Sequence, residues 1–272
     1  MSLLKAVVRG VGLLAALGIL HGMAAAAAGA DTVSAEARVQ LAPAGKLRVA
    51  YAMFEPALAT KDASGEPIGV APDLARALAE RLGVPLDPIL FDSPASYAAS
   101  VGSLRWDIAL AGRDANGAGR VDFSPAFVLI DHEILLGPGK TFRDLADIDR
   151  DKVRVGVTIG TVDDLLLAQR LKKAFVFRVL IGIDTAGLTL RTSGADAFAA
   201  SAPFLAKVAP EVPGSRLLDP PFAVVPAVVA VSPGRPAALA YVSEFVRQAK
   251  ASGFLQQSID RAHLRGVRVA PP

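Results

Sequence analysis

Residues able to carry acid–base or metal chemistry are few in this sequence of 272 residues. There are three histidines, His21, His132 and His263, and no cysteine, which removes cysteine nucleophiles, cysteine-bound zinc and iron–sulfur centres. His132 stands between Asp131 and Glu133, but first-row metal sites need three or four converging ligands. A lone histidine in an extended segment is usually structural, so no metal site and no cofactor are expected. There is no G-x-S-x-G elbow, H-E-x-x-H pair or G-x-x-x-x-G-K-[ST] phosphate loop, which counts against the corresponding enzyme classes. No catalytic residue is assigned. One local pattern has binding chemistry, Gly160-Thr161-Val162-Asp163-Asp164. A helix starting there aims backbone N–H groups and its positive dipole end at an anion. Asp163 and Asp164 in the same turn satisfy that dipole themselves, and Thr161 serves equally as a plain N-cap; both readings stand.

Whatever positions these residues must first be delimited. Lys5 and Arg9 precede an apolar run from Val11 to Leu20, which is followed by Ala24–Ala28, Gly29 and Ala30. That is the pattern of a cleaved secretory leader over residues 1–30, and the run is shorter than the roughly 20 apolar residues of a membrane span. Export to the periplasm is expected. His21 belongs to the leader, as do two of the 29 basic side chains, leaving 27 bases against 26 acids. A near-neutral chain without Lys/Arg clusters argues against nucleic acid or a membrane surface as partner. Its length allows one large domain or two small ones.

Residues 31–45 lack a period and read as a flexible lead-in. Leu47, Val49 and Tyr51 alternate within a predicted strand, Lys46–Tyr51, followed by a turn region, Lys61–Pro67. Leu74, Leu78 and Leu82 share one face of a predicted helix, Asp73–Gly83. Further strands are predicted at Leu86–Phe91, Asp107–Ala111, Val128–Leu136, Val153–Val157, Phe175–Leu180, Asp196–Ala199 and Ala223–Val231. The intervening helices are predicted at Ser96–Leu104, Thr161–Ala174, Asp184–Thr192, Pro203–Val208, Ala237–Ser252 and Leu255–Ala262. Such alternation implies an α/β protein with largely parallel sheets. Val128–Leu136 and Ala223–Val231 separate two α/β blocks and are expected to cross between two lobes. The first lobe would span Asp31–Ile130 and Pro226–Pro272, the second Asp131–Val225. Ligands favour the cleft that such an arrangement creates.

Several stretches in this order resemble the family 3 bacterial solute-binding proteins. Gly69-Val70-Ala71-Pro72-Asp73-Leu74-Ala75 is similar to the segment opening that family's first helix. Trp106-Asp107-Ile108-Ala109 and Arg120-Val121-Asp122-Phe123-Ser124-Pro125-Ala126-Phe127 resemble its strand and "VDFS-P-aromatic" block. Val155-Gly156-Val157-Thr158-Ile159-Gly160-Thr161 resembles its second-lobe strand and glycine–threonine turn, and Ala251-Ser252-Gly253-Phe254-Leu255 its closing helical segment. The resemblance runs from about Lys46 to Ala262. It implies a two-lobed type II periplasmic-binding-protein fold that captures a small solute in the cleft. Its partners would be that small-molecule ligand and the membrane subunits of an ABC importer, with the protein itself a monomer and no nucleic acid involved.

The resemblance also implies site positions. In amino-acid binders of the family, an arginine after the strand at Asp107–Ala111 forks onto the ligand carboxylate. Gly117 occupies that position here, with Arg113 or Arg120 as substitutes; Arg113 paired with Asp114, or simply solvated, is the alternative. The family's second threonine is replaced by Val162, and its ammonium-binding second-lobe acid by Ser201, which would equally cap the following helix. Phe54-Glu55-Pro56-Ala57-Leu58 replaces an aromatic-proline-aromatic run. Glu55 either receives a cationic ligand group or is an exposed turn acid, and Phe54 either walls the pocket or packs in the core. The expected ligand-binding set is therefore Phe54, Glu55, Arg113, Asp114, Thr158, Gly160, Thr161 and Ser201. The expected ligand is a small organic anion, or an amino acid held in an unusual way. The alternatives are an exported cyclohexadienyl or arogenate dehydratase on the same fold and a ligand sensor for a membrane receptor.

Overall fold

The computed structural model describes residues 33–113, 119–192 and 194–272. The expected leader, Asp114 and Gly117 lie outside the described residues. The first described element corrects an expectation: α1 (Ala35–Leu41) stands where a flexible lead-in was predicted. Ser34 Oγ caps it by accepting from the Ala37 N–H, and Ala37 and Leu41 are buried. Two apolar residues one turn apart are too short a signal to read from periodicity.

After β1 (Leu47–Ala52), the predicted turn region closes a small hairpin of β2 (Thr60–Lys61) and β3 (Pro67–Ile68). Helix α2 (Val70–Leu82) starts three residues earlier than its leucine spacing predicts. Pro72 is tolerated in its first turn, where backbone N–H groups lack helical partners anyway. Gly69, at φ 122°, admits no side chain, because a Cβ there would come within 2.8 Å of the Leu58 carbonyl. Strand β4 (Leu86–Phe91) matches its prediction, whereas α3 (Pro94–Ser100) begins and ends early. Ser93 Oγ caps its start, and past its end the Trp106 indole donates to Ser100 Oγ at 3.0 Å. Strands β5 (Ile108–Gly112) and β6 (Asp122–Phe123) follow.

The long strand β7 (Val128–Leu136) leads to α4 (Leu145–Ile148), β8 (Arg154–Thr158) and α5 (Val162–Arg170). Helix α5 stops short of Ala174 for a visible reason. Asp149 Oδ1 accepts the backbone N–H groups of Lys172, Lys173 and Ala174 at 2.7–3.0 Å, holding them outside a helix. Next come β9 (Phe175–Val179), α6 (Ile183–Arg191), β10 (Ala197–Ser201), α7 (Ala202–Val208) and β11 (Arg216–Leu217). The second long strand, β12 (Ala223–Val231), returns to α8 (Pro236–Ala251), α9 (Phe254–Arg261) and β13 (Val267–Val269).

One continuous sheet runs β4-β1-β5-β12-β7-β10-β8-β9. Strands β4, β1 and β5 are parallel, as are β10, β8 and β9. Between these groups, β12 and β7 pair antiparallel to each other and to their outer neighbours, so the sheet is mixed rather than largely parallel. The core divides accordingly. One pair of apolar clusters draws on residues 41–130 and 227–267, the other pair on residues 134–218. The fold is α/β and two-lobed, with a cleft between the lobes.

One charge cluster fastens the first lobe, and a second ties its C-terminal segment to the strand that crosses into the other lobe. Asp107 is fully buried; its carboxylate accepts from the Arg48 backbone and guanidinium at 2.8–3.0 Å and from Arg235 at 3.0 Å. At the other end, β13 pairs with β7, Arg265 forks onto Glu133 at 2.9 and 2.5 Å, and Arg268 reaches Asp131 at 2.6 Å. Removing one partner of a buried ion cluster strands the others. Asp107→Ala is therefore expected to lower the unfolding free energy by about 3 kcal/mol, the low end for buried pairs because both arginines keep some solvent. Lys61→Ala, which breaks the exposed Lys61–Asp92 pair, is expected to cost less than about 1 kcal/mol. Urea unfolding of both variants measures the contrast.

Candidate functional site

A cavity of ≈ 80 Å³ lies where the two lobes meet β7 and β12. By this measure a water occupies roughly 10–15 Å³, so the space takes several waters or one compact solute. Its wall is mostly apolar: Phe54, Tyr97, Val121 and Phe123 come from the first lobe, Ile130, Val225 and Val228 from the crossing strands. The polar groups on it are Glu55, Arg120, His132 and Thr161.

Glu55 sits in a tight turn after β1, where the Leu58 N–H donates to its carbonyl at 2.9 Å. Its carboxyl Oε1 accepts the Ala57 N–H at 3.0 Å and the Ser201 hydroxyl at 2.7 Å. The second bond joins the two lobes. Ser201 stands at the N-cap position of α7 but makes no side-chain cap bond there; its hydroxyl serves Glu55 instead. Antiparallel pairing of β7 with β10 sets Ser201 directly opposite His132. Opposed residues in such a pair project to the same face, and the Glu55 carboxyl is thereby brought next to the imidazole.

His132 is 1% exposed, and its Nδ1–H donates to Asp163 Oδ1 at 2.6 Å. Asp163, in the first turn of α5, is also buried. The flanking acids Asp131 and Glu133 are engaged by Arg268 and Arg265, so the partner of His132 is the acid 31 residues away. Burial raises the Glu55 carboxyl above its ordinary value, against the lowering pull of the His132 charge and of the Ser201 and Ala57 bonds. Burial alone would lower His132, but the charge and hydrogen bond of Asp163, with help from Glu55 and Asp131, outweigh it and the imidazole is raised.

The start of α5 is satisfied largely from within. Thr161 Oγ1 donates to the Thr158 carbonyl at 2.8 Å and accepts the Asp164 N–H at 3.4 Å. Asp164 Oδ2 in turn accepts the Gly160 N–H at 3.1 Å, while Oδ1 takes Arg178 Nε at 2.8 Å. This reciprocal cap occupies donors that an anion would need. Gly160 and Thr161 border the cavity, and Thr158 lies buried behind them. Of the two arginines offered by the loop, Arg120 borders the cavity and donates to the Val101 carbonyl. Arg113 is exposed and lies over the Phe123 ring, 5.4 Å from its centroid. Phe54 lines the cavity and tilts against Tyr97, with ring centroids 6.2 Å apart. Sequence reasoning missed the His132–Asp163 pair, since neither spacing nor periodicity links a strand residue to a helix start across two elements. Among the described residues no group of three or more His, Cys, Asp or Glu is placed to hold a metal, and no helix is long and apolar enough to cross a membrane.

The sequence profile of the bacterial extracellular solute-binding proteins, family 3, matches residues 47–263. No curated protein matches the sequence. Among solved structures, the ancestral amino-acid-binding protein AncCDT-1, a precursor of cyclohexadienyl dehydratase, superposes with a TM-score of 0.71 at 22% identity, over 82% of this chain and 97% of that one. The putative binding component of an ABC transporter from Wolinella succinogenes, complexed with lysine, gives 0.71 at 23% identity, over 80% and 95%. The L-cysteine solute receptor of Neisseria gonorrhoeae gives 0.72 at 18% identity, over 88% and 100%. At these identities the likeness is one of fold.

Both raised groups hold their proton more tightly in the folded chain than in the unfolded one. Their stabilisation is complete below the ordinary values, 4.5 for Glu55 and 6.5 for His132, and is lost as pH rises through the folded values. The unliganded protein is thus expected to lose unfolding free energy as the pH rises above 4.5, through the Glu55 titration, and further above 6.5, through that of His132. Asp163→Asn, which removes the chief cause of the His132 elevation, should flatten that slope. Denaturant titrations across this range decide it, and an unaltered slope in the variant refutes the assignment.

Proposed function

The chain belongs to the bacterial extracellular solute-binding proteins, family 3, and from that premise we propose that it captures an amino acid, or a small anion of similar size, in the interlobe cavity. Delivery to the membrane subunits of an ABC importer follows, by a monomer exported to the periplasm. The observation that carries this reading is the interlobe cavity itself, bridged by the Glu55–Ser201 bond and lined by an acid, a guanidinium and an apolar wall. A zwitterion needs opposite charges at close quarters. Glu55 supplies the negative partner from the first lobe, where Ser201 supplies none from the second. Arg120 adds positive charge at the rim, with Gly160 and Thr161 bordering the opposite wall; Arg113 contributes through the Phe123 wall, and Thr158 by fixing the Thr161 hydroxyl.

The lobe limits go with this proposal: Asp31–Ile130 with Pro226–Pro272, and Asp131–Val225. The division of the buried clusters on either side of Ile130 and Val225 supports them. A second reading has an observation of its own. A carboxyl whose proton affinity is raised by burial and an imidazole oriented by a carboxylate line one cavity, which is equipment for proton transfer. Turnover of prephenate or arogenate by the purified protein would replace capture with catalysis.

A thermal-shift screen of the twenty amino acids and of small carboxylates tests capture. A solute at a thousand times its dissociation constant adds about 4 kcal/mol of stability, a shift of several degrees for a domain of this size. At least one amino acid is expected to produce it, and Glu55→Gln and Arg120→Ala each to reduce it. Silence across the whole screen removes the reading.

A further inference from the structure

We propose that His132, held by Asp163, is a solute-binding group whose Nε2–H receives the carboxylate of an α-amino acid beside the Glu55 carboxyl that receives its ammonium. This deepens the amino-acid reading of the cavity and rests on it. Three observations place the group. His132 is on the cavity wall yet almost wholly buried. Its Nδ1 is committed to Asp163, which leaves Nε2 as the nitrogen that can meet a solute. The strand pairing puts it opposite Ser201, whose hydroxyl holds the Glu55 carboxyl.

The ammonium and carboxylate of an α-amino acid hang on one carbon, so a site that reads both must set an acid and a cation side by side. Glu55 and His132 meet that requirement. Asp163 favours the charged imidazole and fixes its orientation, and the apolar wall of Val225, Val228, Ile130 and Phe123 is left for the side chain. Among the described residues, the other charged or titratable groups near the pair are Asp163 behind His132, Asp131 beside it on β7 and paired with Arg268, Arg120 at the rim and the Tyr97 phenol. An ammonium held beside the Glu55 carboxyl favours its ionised form, so binding is expected to strengthen as the pH rises through the Glu55 range.

Calorimetric titration at pH 7 of L-leucine, 3-methylbutylamine and 4-methylpentanoate, with the corresponding valine and phenylalanine series, separates the two anchors. His132→Asn keeps a donor for Asp163 while removing the cavity-facing N–H. It is expected to weaken the amino acids and the carboxylic acids about tenfold or more, the worth of a charge-assisted hydrogen bond, and to leave the amines unchanged. Glu55→Gln should do the reverse. In the wild-type protein, the His132 Nε2 resonance in ¹⁵N spectra is expected to shift with L-leucine and stay with 3-methylbutylamine, which tests the contact without any variant. Equal loss for all three compound types in His132→Asn, or a resonance indifferent to L-leucine that binds, overturns the anchor alone. Binding of none of the compounds by the wild type overturns the amino-acid reading, and the anchor with it.

Discussion

The antiparallel pairing of Val128–Leu136 with Ala223–Val231 is the constraint from which the rest follows. Each lobe has its own parallel strands and its own core, and these two strands are what carries the sheet from one to the other. Backbone groups passing between lobes would be left without partners if the strands ran singly. Pairing His132 with Ala223 and Ile130 with Val225 answers that need, and it also places His132, Ile130 and Val225 at the cavity. The third ply, Val267–Val269, covers the same strand and brings arginines to Asp131 and Glu133. Structural support and cavity wall therefore share one strand, in alternating residues.

This arrangement explains how three acids and a histidine coexist at one crossing. Asp131 and Glu133 face partly solvated arginines, whereas His132 is buried with Asp163. A fully satisfied buried network is rigid, and an unsatisfied one is costly. Here one ring nitrogen is satisfied by the fold and the other borders the cavity. Glu55 shows the same division: Ser201 and Ala57 both donate to Oε1, leaving the second oxygen for other company.

Much of the architecture was legible from residues alone. Alternation and leucine spacing located the strands and helices of both lobes, and β4, β7 and β12 within their observed limits, because each buries a face whose period the core dictates. What escaped was set by contacts at a distance. Helix α1 is stabilised by burying Leu41 and by its Gln40 side chain capping α8, neither visible in a short segment. The end of α5 is decided by Asp149. At the site, Glu55, Thr161 and Ser201 were singled out, but their actual bonds differ: Ser201 holds Glu55 instead of capping a helix, and Thr161 belongs to a cap that serves itself. His132 was read as structural because it is a lone histidine in an extended segment; its flanking acids are engaged by Arg268 and Arg265, and its own partner, Asp163, lies 31 residues away.

The strand order carries a consequence in time. Strand β12 lies between β5 and β7, yet it is made long after both. Until Ala223–Val231 arrives, Ile108–Gly112 and Val128–Leu136 have no common partner, and the larger core lacks Ala227, Val229 and Val231. Pairings so distant in sequence form slowly, since the loop must close before any contact rewards it. The core of the second lobe is complete once Leu218 has been made, whereas that of the first waits for the chain from Ala223 onward, so the lobe that begins first is the one that closes last.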